Sequence, residues 1–146
     1  MAEISSELLQ IFGFWGSILV LKLLAMAPLT ARQRFAKKVF SNEEDLKFAD
    51  GKGKVAHNDP DVERVRRAHQ NDLENILPWF IITYLWLGTG PAPWLAKILI
   101  RTFVFTRITH TISYIFLAQQ PIRALAFFVG FGITGYQTLS TLLYYF

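Results

Sequence analysis

The chain has no cysteine among its 146 residues. Disulfides, thiolate metal sites, a protein-borne cysteine nucleophile and oxidant sensing through a protein thiol are therefore excluded. Acids are missing from an entire half: every Asp and Glu lies at or before Glu74, and beyond it the only charged residues are Lys97, Arg101, Arg107 and Arg123. The N-terminus, Met1-Ala2-Glu3-Ile4, lacks a basic n-region, so the first apolar stretch is expected to stay in place as an anchor rather than be cleaved. Neither an internal repeat nor a low-complexity tract is present. His57, His69 and His110 lack metal-ligand spacing, and no metal is expected.

What is present is apolar. Hydrophobic residues make up 52% and aromatics 15%, more than an ordinary soluble domain of one-domain length carries. A net charge of +4 is compatible with nucleic acid, but no binding motif accompanies it. Basic residues beside apolar spans instead set membrane orientation, and no nucleic-acid partner is expected.

Leu8 to Pro28 has Lys22 as its single charge and, at ~1.5 Å per residue, is long enough to cross a hydrocarbon core of ~30 Å. A polar segment follows over about 30–62, with turn-prone "DGKG" (Asp50 to Gly53) and "NDP" (Asn58 to Pro60), and reads as a loop with room for short helices. The next apolar run, Ile76 to Leu87, is too short to cross alone. A spanning helix must reach back to about Ala68, drawing Asn71, Asp72 and Glu74 towards membrane depth. Asp59-Pro60 reads as a cap followed by proline at the first helical position, and "GTGPAP" (Gly88 to Pro93) ends the helix. Spans are thus expected at about 8–28, 68–87, 94–117 and 124–146. The predicted fold is a single all-α integral membrane domain over 1–146, a bundle of four transmembrane helices.

Most basic residues lie between Arg32 and Arg67, which places the 30–62 loop in the cytoplasm. Counting crossings then gathers Arg34, Arg67, Glu74 and Arg123 at one end. Arg67, Asn71 and Glu74 fall at i, i+4 and i+7, one helical face suited to a small ligand with both ammonium and carboxylate groups; a solvated helix end is the alternative. Arg107, His110 and Tyr114 fall at i, i+3 and i+7. With no acid in their half of the chain, their counter-charge comes from helix two, the loop or a ligand; pairing of Arg107 with Asp72 or Glu74 is the plainer option. Lys97 and Arg101, on another face, are expected to snorkel or pair. "GFGITG" (Gly130 to Gly135) matches a dinucleotide pattern but lies inside an apolar span, where small residues serve close packing.

"DPDVERVRRAHQNDLENILPWF", "RITHTISY", "QPIRALAFFVG" and "KKVFSNEED" together resemble the MAPEG family, membrane-associated proteins of eicosanoid and glutathione metabolism. The resemblance implies a homotrimer in the endoplasmic reticulum and outer mitochondrial membranes, with glutathione held between subunits at the cytosolic end and hydrophobic electrophiles arriving from the bilayer. Matched by position, Arg34, Arg67, Asn71, Glu74, His110 and Tyr114 are implied glutathione contacts. Arg66 and His69 lie in the same "RRAH", with the choice between the two arginines open and packing an alternative for His69. Arg123 matches an arginine placed beside the glutathione sulfur, where a cation lowers a thiol's pKa; a membrane-orienting anchor is the alternative. Asp45 matches an acid proposed to assist chemistry in the prostaglandin E synthase branch, although Asn42-Glu43-Glu44-Asp45 lacks that pattern's proline. Ala124, Phe127 and Gln70 stand where that branch has serine, tyrosine and arginine, so the glutathione transferase branch is favoured, with lipid hydroperoxide reduction as a second activity. A prostaglandin E synthase-type isomerase, or a non-enzymatic scaffold or small transporter, are the other readings.

Overall fold

The computed structural model describes residues 3–49 and 52–146; Met1 and Ala2 of the N-terminal motif, and Asp50 and Gly51 of the "DGKG" turn, lie outside them. In chain order come α1 (Ser6–Lys37), β1 (Val39–Phe40), a 3-10 helix (Glu43–Ala49), β2 (Lys54–Val55) and α2 (Pro60–Leu87). Then follow α3 (Pro93–Ile112), prolonged by a π-helical turn (Ser113–Leu117), and α4 (Gln120–Tyr145).

α1 begins where the Ser5 hydroxyl accepts from the Leu8 amide at 3.4 Å, and it ends at Lys38, whose left-handed backbone returns its amide to the Arg34 and Phe35 carbonyls. It does not stop at Pro28, as the sequence led us to expect. Proline removes one backbone donor but does not forbid continuation. Beyond it lie Ala31, Arg32, Gln33, Arg34 and Ala36, all good helix formers. The Thr30 hydroxyl also donates to the Met26 carbonyl at 2.9 Å. Arg34 therefore sits on a helix, not in a loop. The segment after it is partly ordered, since β1 and β2 pair in parallel, Val39 with Lys54 and Phe40 with Val55.

Lys37 bridges to Asp61 at 2.5 Å, tying the end of α1 to the start of α2. The hydrogen bond, and then the charge, of Lys37 holds the Asp61 carboxyl below its usual range, and the same contact raises Lys37. α2 starts as expected, with Asp59 accepting from the amides of Asp61 at 3.1 Å and Val62 at 3.2 Å. Its inward face is Val65, Ala68, Asp72, Ile76, Trp79, Thr83 and Trp86, a helical repeat of three and four residues. Gly90, at φ 75°, supplies the left-handed turn before α3.

α1 packs on α2 and α3, and α4 packs on the same two helices from the other side. Trp79 of α2 stacks on Phe103 of α3 with ring centroids 4.5 Å apart, and Leu19, Ile76, Ile100, Val104 and Ile133 fill in around them. Two close approaches between helices use glycine: a Cβ at Gly16 would lie 2.7 Å from a Phe80 ring carbon, and one at Gly130 would lie 3.0 Å from the Thr106 hydroxyl. Gly132 has open space instead, so within "GFGITG" it is Gly130 that serves close packing.

The outside of the bundle is as greasy as its core. Phe14, Leu21, Leu24, Ile81, Phe105, Leu125, Phe128 and Leu143 all project outward, far more apolar surface than a soluble monomer shows. Among the described helices, α1 alone has the length and composition to cross a membrane unaided. The others fall short of the four-span expectation for separate reasons: the apolar run of α2 is short, α3 carries Lys97, Arg101 and Arg107, and α4 interleaves Gly, Thr and Gln137 with its apolar residues.

Candidate functional site

One end of the bundle collects the last turn of α1, the first turns of α2, the π-helical end of α3 and the first turn of α4, as the Lys37–Asp61 and Arg123–Tyr114 contacts require. Just inside it lies a buried polar knot. The fully buried Asp72 accepts from Arg107 Nη2 at 2.6 Å on Oδ1. Its Oδ2 takes the ammonium of Lys22 in a close ion pair and the Thr111 hydroxyl at 3.3 Å. The same Arg107 Nη2 donates to Asn71 Oδ1 at 2.7 Å and stands 3.5 Å from His110 Nδ1. Arg107 Nε and Nη1 have no partner among the described residues. An ionised side chain at membrane depth costs ~2.5–3.5 kcal/mol, so groups this buried persist only in mutual company.

Around this knot the expected residues divide into those brought together and those left apart. Asn71 joins the knot directly, and the buried His110 lies against the Tyr114 ring at 5.6 Å between centroids. Arg123, in the first turn of α4, holds its guanidinium over the Tyr114 ring at 4.3 Å. Glu74 is exposed and accepts from Gln70 at 3.1 Å. Arg66 is exposed and pairs with Glu63 at 2.6 Å, while Arg67 is exposed without that tie, and His69 lies half-buried beside both. Arg34 is partly buried on α1, with Nη1 lacking a partner among the described residues. Asp45 stands apart, in the 3-10 helix, where its carboxylate accepts from the Asn42 side-chain amide at 3.4 Å.

Of the Arg67, Asn71 and Glu74 face, Arg67 and Glu74 are exposed and Asn71 alone reaches the knot, so it is not the buried face of α2. Asp72, two residues before Glu74 and half a turn around, is the acid that points inward. Lys97 pairs, as expected for its face, with Glu7 at 2.6 Å.

Outward from the knot, α2 and α4 leave a groove of about 630 Å³ between them. Asn71, Glu74 and Asn75 form its polar end, and Pro78, Phe127, Phe131 and Leu139 make most of the rest apolar. Arg123 precedes Phe127 by four residues on α4, which puts it on the same helical face, one turn before the first α4 residue that lines the groove. Sequence reasoning missed this aromatic wall and the role of Lys22. A signal for Lys22 existed: a lone cation in an apolar span demands an acid at its own depth, and Asp72 is the one α2 supplies.

The MAPEG family model matches residues 12–143. The chain is 45% identical to microsomal glutathione S-transferase 1 of Homo sapiens over 145 residues, covering 94% of this chain and 93% of that protein. It is 44% identical to the protein of the same name from Mus musculus, covering 95% and 94%. Prostaglandin E synthase of Bos taurus is 35% identical over 123 residues, covering 84% of this chain and 80% of that protein.

Proposed function

Because this chain belongs to the MAPEG family, a family of membrane proteins, we propose that it is a glutathione transferase that joins the thiolate of glutathione to hydrophobic electrophiles dissolved in the bilayer. The observation that carries this reading is the α2–α4 groove, which has amides and a carboxylate at one end and a mainly apolar lining, with Phe127 and Phe131, along the rest. Such a cleft lets a charged tripeptide and a greasy electrophile meet side by side, a gain in proximity for two reactants that otherwise occupy different phases. The relatives named for glutathione transfer support the choice of tripeptide.

In this reading Glu74 takes the glutathione ammonium, and Arg67 and Arg34 grip its carboxylates, since guanidinium meets carboxylate with two parallel bonds. Asn71, His110 and Tyr114 supply further polar contacts, and Arg66 and His69 line the approach. Arg123 faces the sulfur. The thiol releases its proton to water, and the cation holds the resulting thiolate. Sulfur then attacks the electrophilic carbon of, for example, an aryl halide; the carbon–sulfur bond forms as the carbon–halogen bond breaks, and halide leaves. With a lipid hydroperoxide, two glutathiones become the disulfide while the hydroperoxide is reduced to alcohol and water. Asp45 is assigned no step.

The architecture that goes with this chemistry is four membrane crossings, with the charged end of the bundle in the cytosol and three copies of the chain around shared sites. Outward-facing Phe14, Leu21, Leu125 and Phe128 support burial of those faces in lipid or against other copies. Endoplasmic reticulum and outer mitochondrial membranes are the proposed locations, and detoxification the proposed role.

Calorimetric titration of the detergent-solubilised protein with glutathione, with and without an activated aryl halide, tests the reading. Saturable binding and formation of the conjugate are expected; no binding sinks it and moves a scaffold or transporter ahead. The 35% identity to a prostaglandin E synthase favours an endoperoxide isomerase as the second reading. Product analysis with an endoperoxide separates the two, and Ala124 and Phe127, which lack hydroxyls, argue for the transferase.

A further inference from the structure

Lys22 has no part in the chemistry just described, yet it is among the least accommodating residues to bury. Its side chain is 12% exposed and that of its partner Asp72 is 0% exposed. If the helices needed only one ion pair to lock them, Asp72 with Arg107 would suffice, and an apolar residue at position 22 would be neutral or stabilising. The second cation therefore calls for an account, and the geometry of the first provides it.

An arginine beside a free carboxylate settles by default into a two-armed grip, both oxygens taking parallel N–H donors. Here it does not. Lys22 and Thr111 occupy Oδ2 of Asp72, which leaves Oδ1 for Arg107, and the guanidinium holds on through Nη2 alone. That one-armed grip turns the same nitrogen towards Asn71 Oδ1 at 2.7 Å and His110 Nδ1 at 3.5 Å, while Nε and Nη1 have no partner among the described residues. Two consequences follow for the groove. With its oxygen taken by Arg107, Asn71 has its amide nitrogen left as the group to offer a ligand. And the His110 ring, with Nδ1 3.5 Å from the same nitrogen, is placed by where that nitrogen sits.

We propose that Lys22 is a positioning residue for the glutathione site: by occupying one oxygen of Asp72 it holds Arg107 in a one-armed grip that orients Asn71 and His110. This rests on the glutathione reading above, and its test separates the two. Full-length protein in detergent is assayed with glutathione and an activated aryl chloride as wild type, Lys22→Met and Lys22→Arg. Lys22→Met leaves only the Thr111 hydroxyl on Oδ2, which opens that oxygen to a second guanidinium arm and releases Asn71 and His110. We expect KM for glutathione to rise about five- to tenfold, with kcat and KM for the aryl chloride within about twofold. Lys22→Arg, which keeps a cation on Oδ2, recovers most of the loss.

A clamp that merely staples helices would instead lower the unfolding temperature of Lys22→Met and leave KM alone, and that result overturns the proposal. So does a defect that Lys22→Arg fails to rescue. If Lys22→Met does not assemble, Lys22→Leu, which also takes the cation off Oδ2 and leaves Asp72 and Arg107 intact, is read in its place, with the same rise in KM expected; loss of assembly in both assigns Lys22 to the scaffold and ends the positioning role. If wild type itself binds no glutathione, the functional reading fails. If wild type binds and Lys22→Met binds equally well, this inference alone fails.

Discussion

The guanidinium of Arg123 lies 4.3 Å from the centroid of the Tyr114 ring, so that the first turn of α4 is fastened to the π-helical end of α3. Ala118 makes the reversal between them in a left-handed conformation, at φ 52°. A cation over an aromatic face is held without being neutralised, because the ring offers a quadrupole and not a counter-charge. The amide ends at the start of α4 add a partial positive charge of their own. The position is therefore well suited to a thiolate.

Arg123→Leu is expected to abolish the ultraviolet thiolate absorbance of bound glutathione near neutral pH. The sign follows from the charge: an adjacent cation lowers a thiol's pKa, and without it the value returns towards ~8.5. Activity of the variant should then be low at neutral pH and climb as pH rises through that value, while wild type has already levelled off. Thiolate absorbance and kcat measured across pH check this, and an unchanged signal removes Arg123 from the mechanism.

Glu74 is exposed at the polar end of the groove, tied among the described residues to Gln70 at 3.1 Å. If it receives the glutathione ammonium, Glu74→Gln should weaken glutathione about tenfold or more, the scale of one hydrogen bond to a charged group, ~1.5–3 kcal/mol. A glutathione analogue lacking the α-amine should bind wild type and variant alike. Titration of both proteins with both ligands completes the cycle; equal losses for the two ligands place the ammonium elsewhere.

Local signals in the sequence were readable because their partners lie within a turn. Asp59 and Pro60 announced the start of α2, and the Gly88–Pro93 stretch its end. Signals that depend on packing were not. Asp72 and Glu74 are two residues apart, and only the angle at which α2 meets α1 and α3 decides which of them is buried. The Lys22 contact spans 50 positions of sequence and exists only once two helices are set side by side. The end of α1 was misplaced because polarity was read as loop, when Ala31 to Lys37 is polar and helical at once.

In the far half of the bundle, the Thr83 hydroxyl donates to Gln137 Oε1 at 3.0 Å, and both residues are fully buried. Membrane interhelical hydrogen bonds average only ~0.6 kcal/mol by double-mutant cycle, less than the ~1–3 kcal/mol of stranding a buried polar group. The stranding term should win. Thr83→Val is expected to lower the unfolding temperature because it strands the whole Gln137 amide, and adding Gln137→Leu should restore most of the loss. Additive losses in thermal unfolding would show the two side chains to be independent.

Gly13 and Gly16 lie one helical turn apart on α1, and their surroundings predict opposite responses to the same methyl group. At Gly13 a Cβ meets nothing within 4 Å, so Gly13→Ala should gain the helix preference of alanine over glycine, ~1 kcal/mol. At Gly16 the added atom would stand 2.7 Å from a Phe80 ring carbon, too close for any ordinary contact. The ring is itself held by Phe12 at 5.8 Å and Trp79 at 5.1 Å between centroids, so its retreat disturbs the α1–α2 seam. Overpacking of this kind costs ~1–3 kcal/mol, which exceeds the propensity gain. Gly16→Ala should therefore melt below wild type and Gly13→Ala at or above it. Because Lys22 rides the same helix less than two turns further on, the Gly16 variant should also weaken glutathione binding, whereas a lower melting point with unaltered binding would show that the seam and the polar knot move independently.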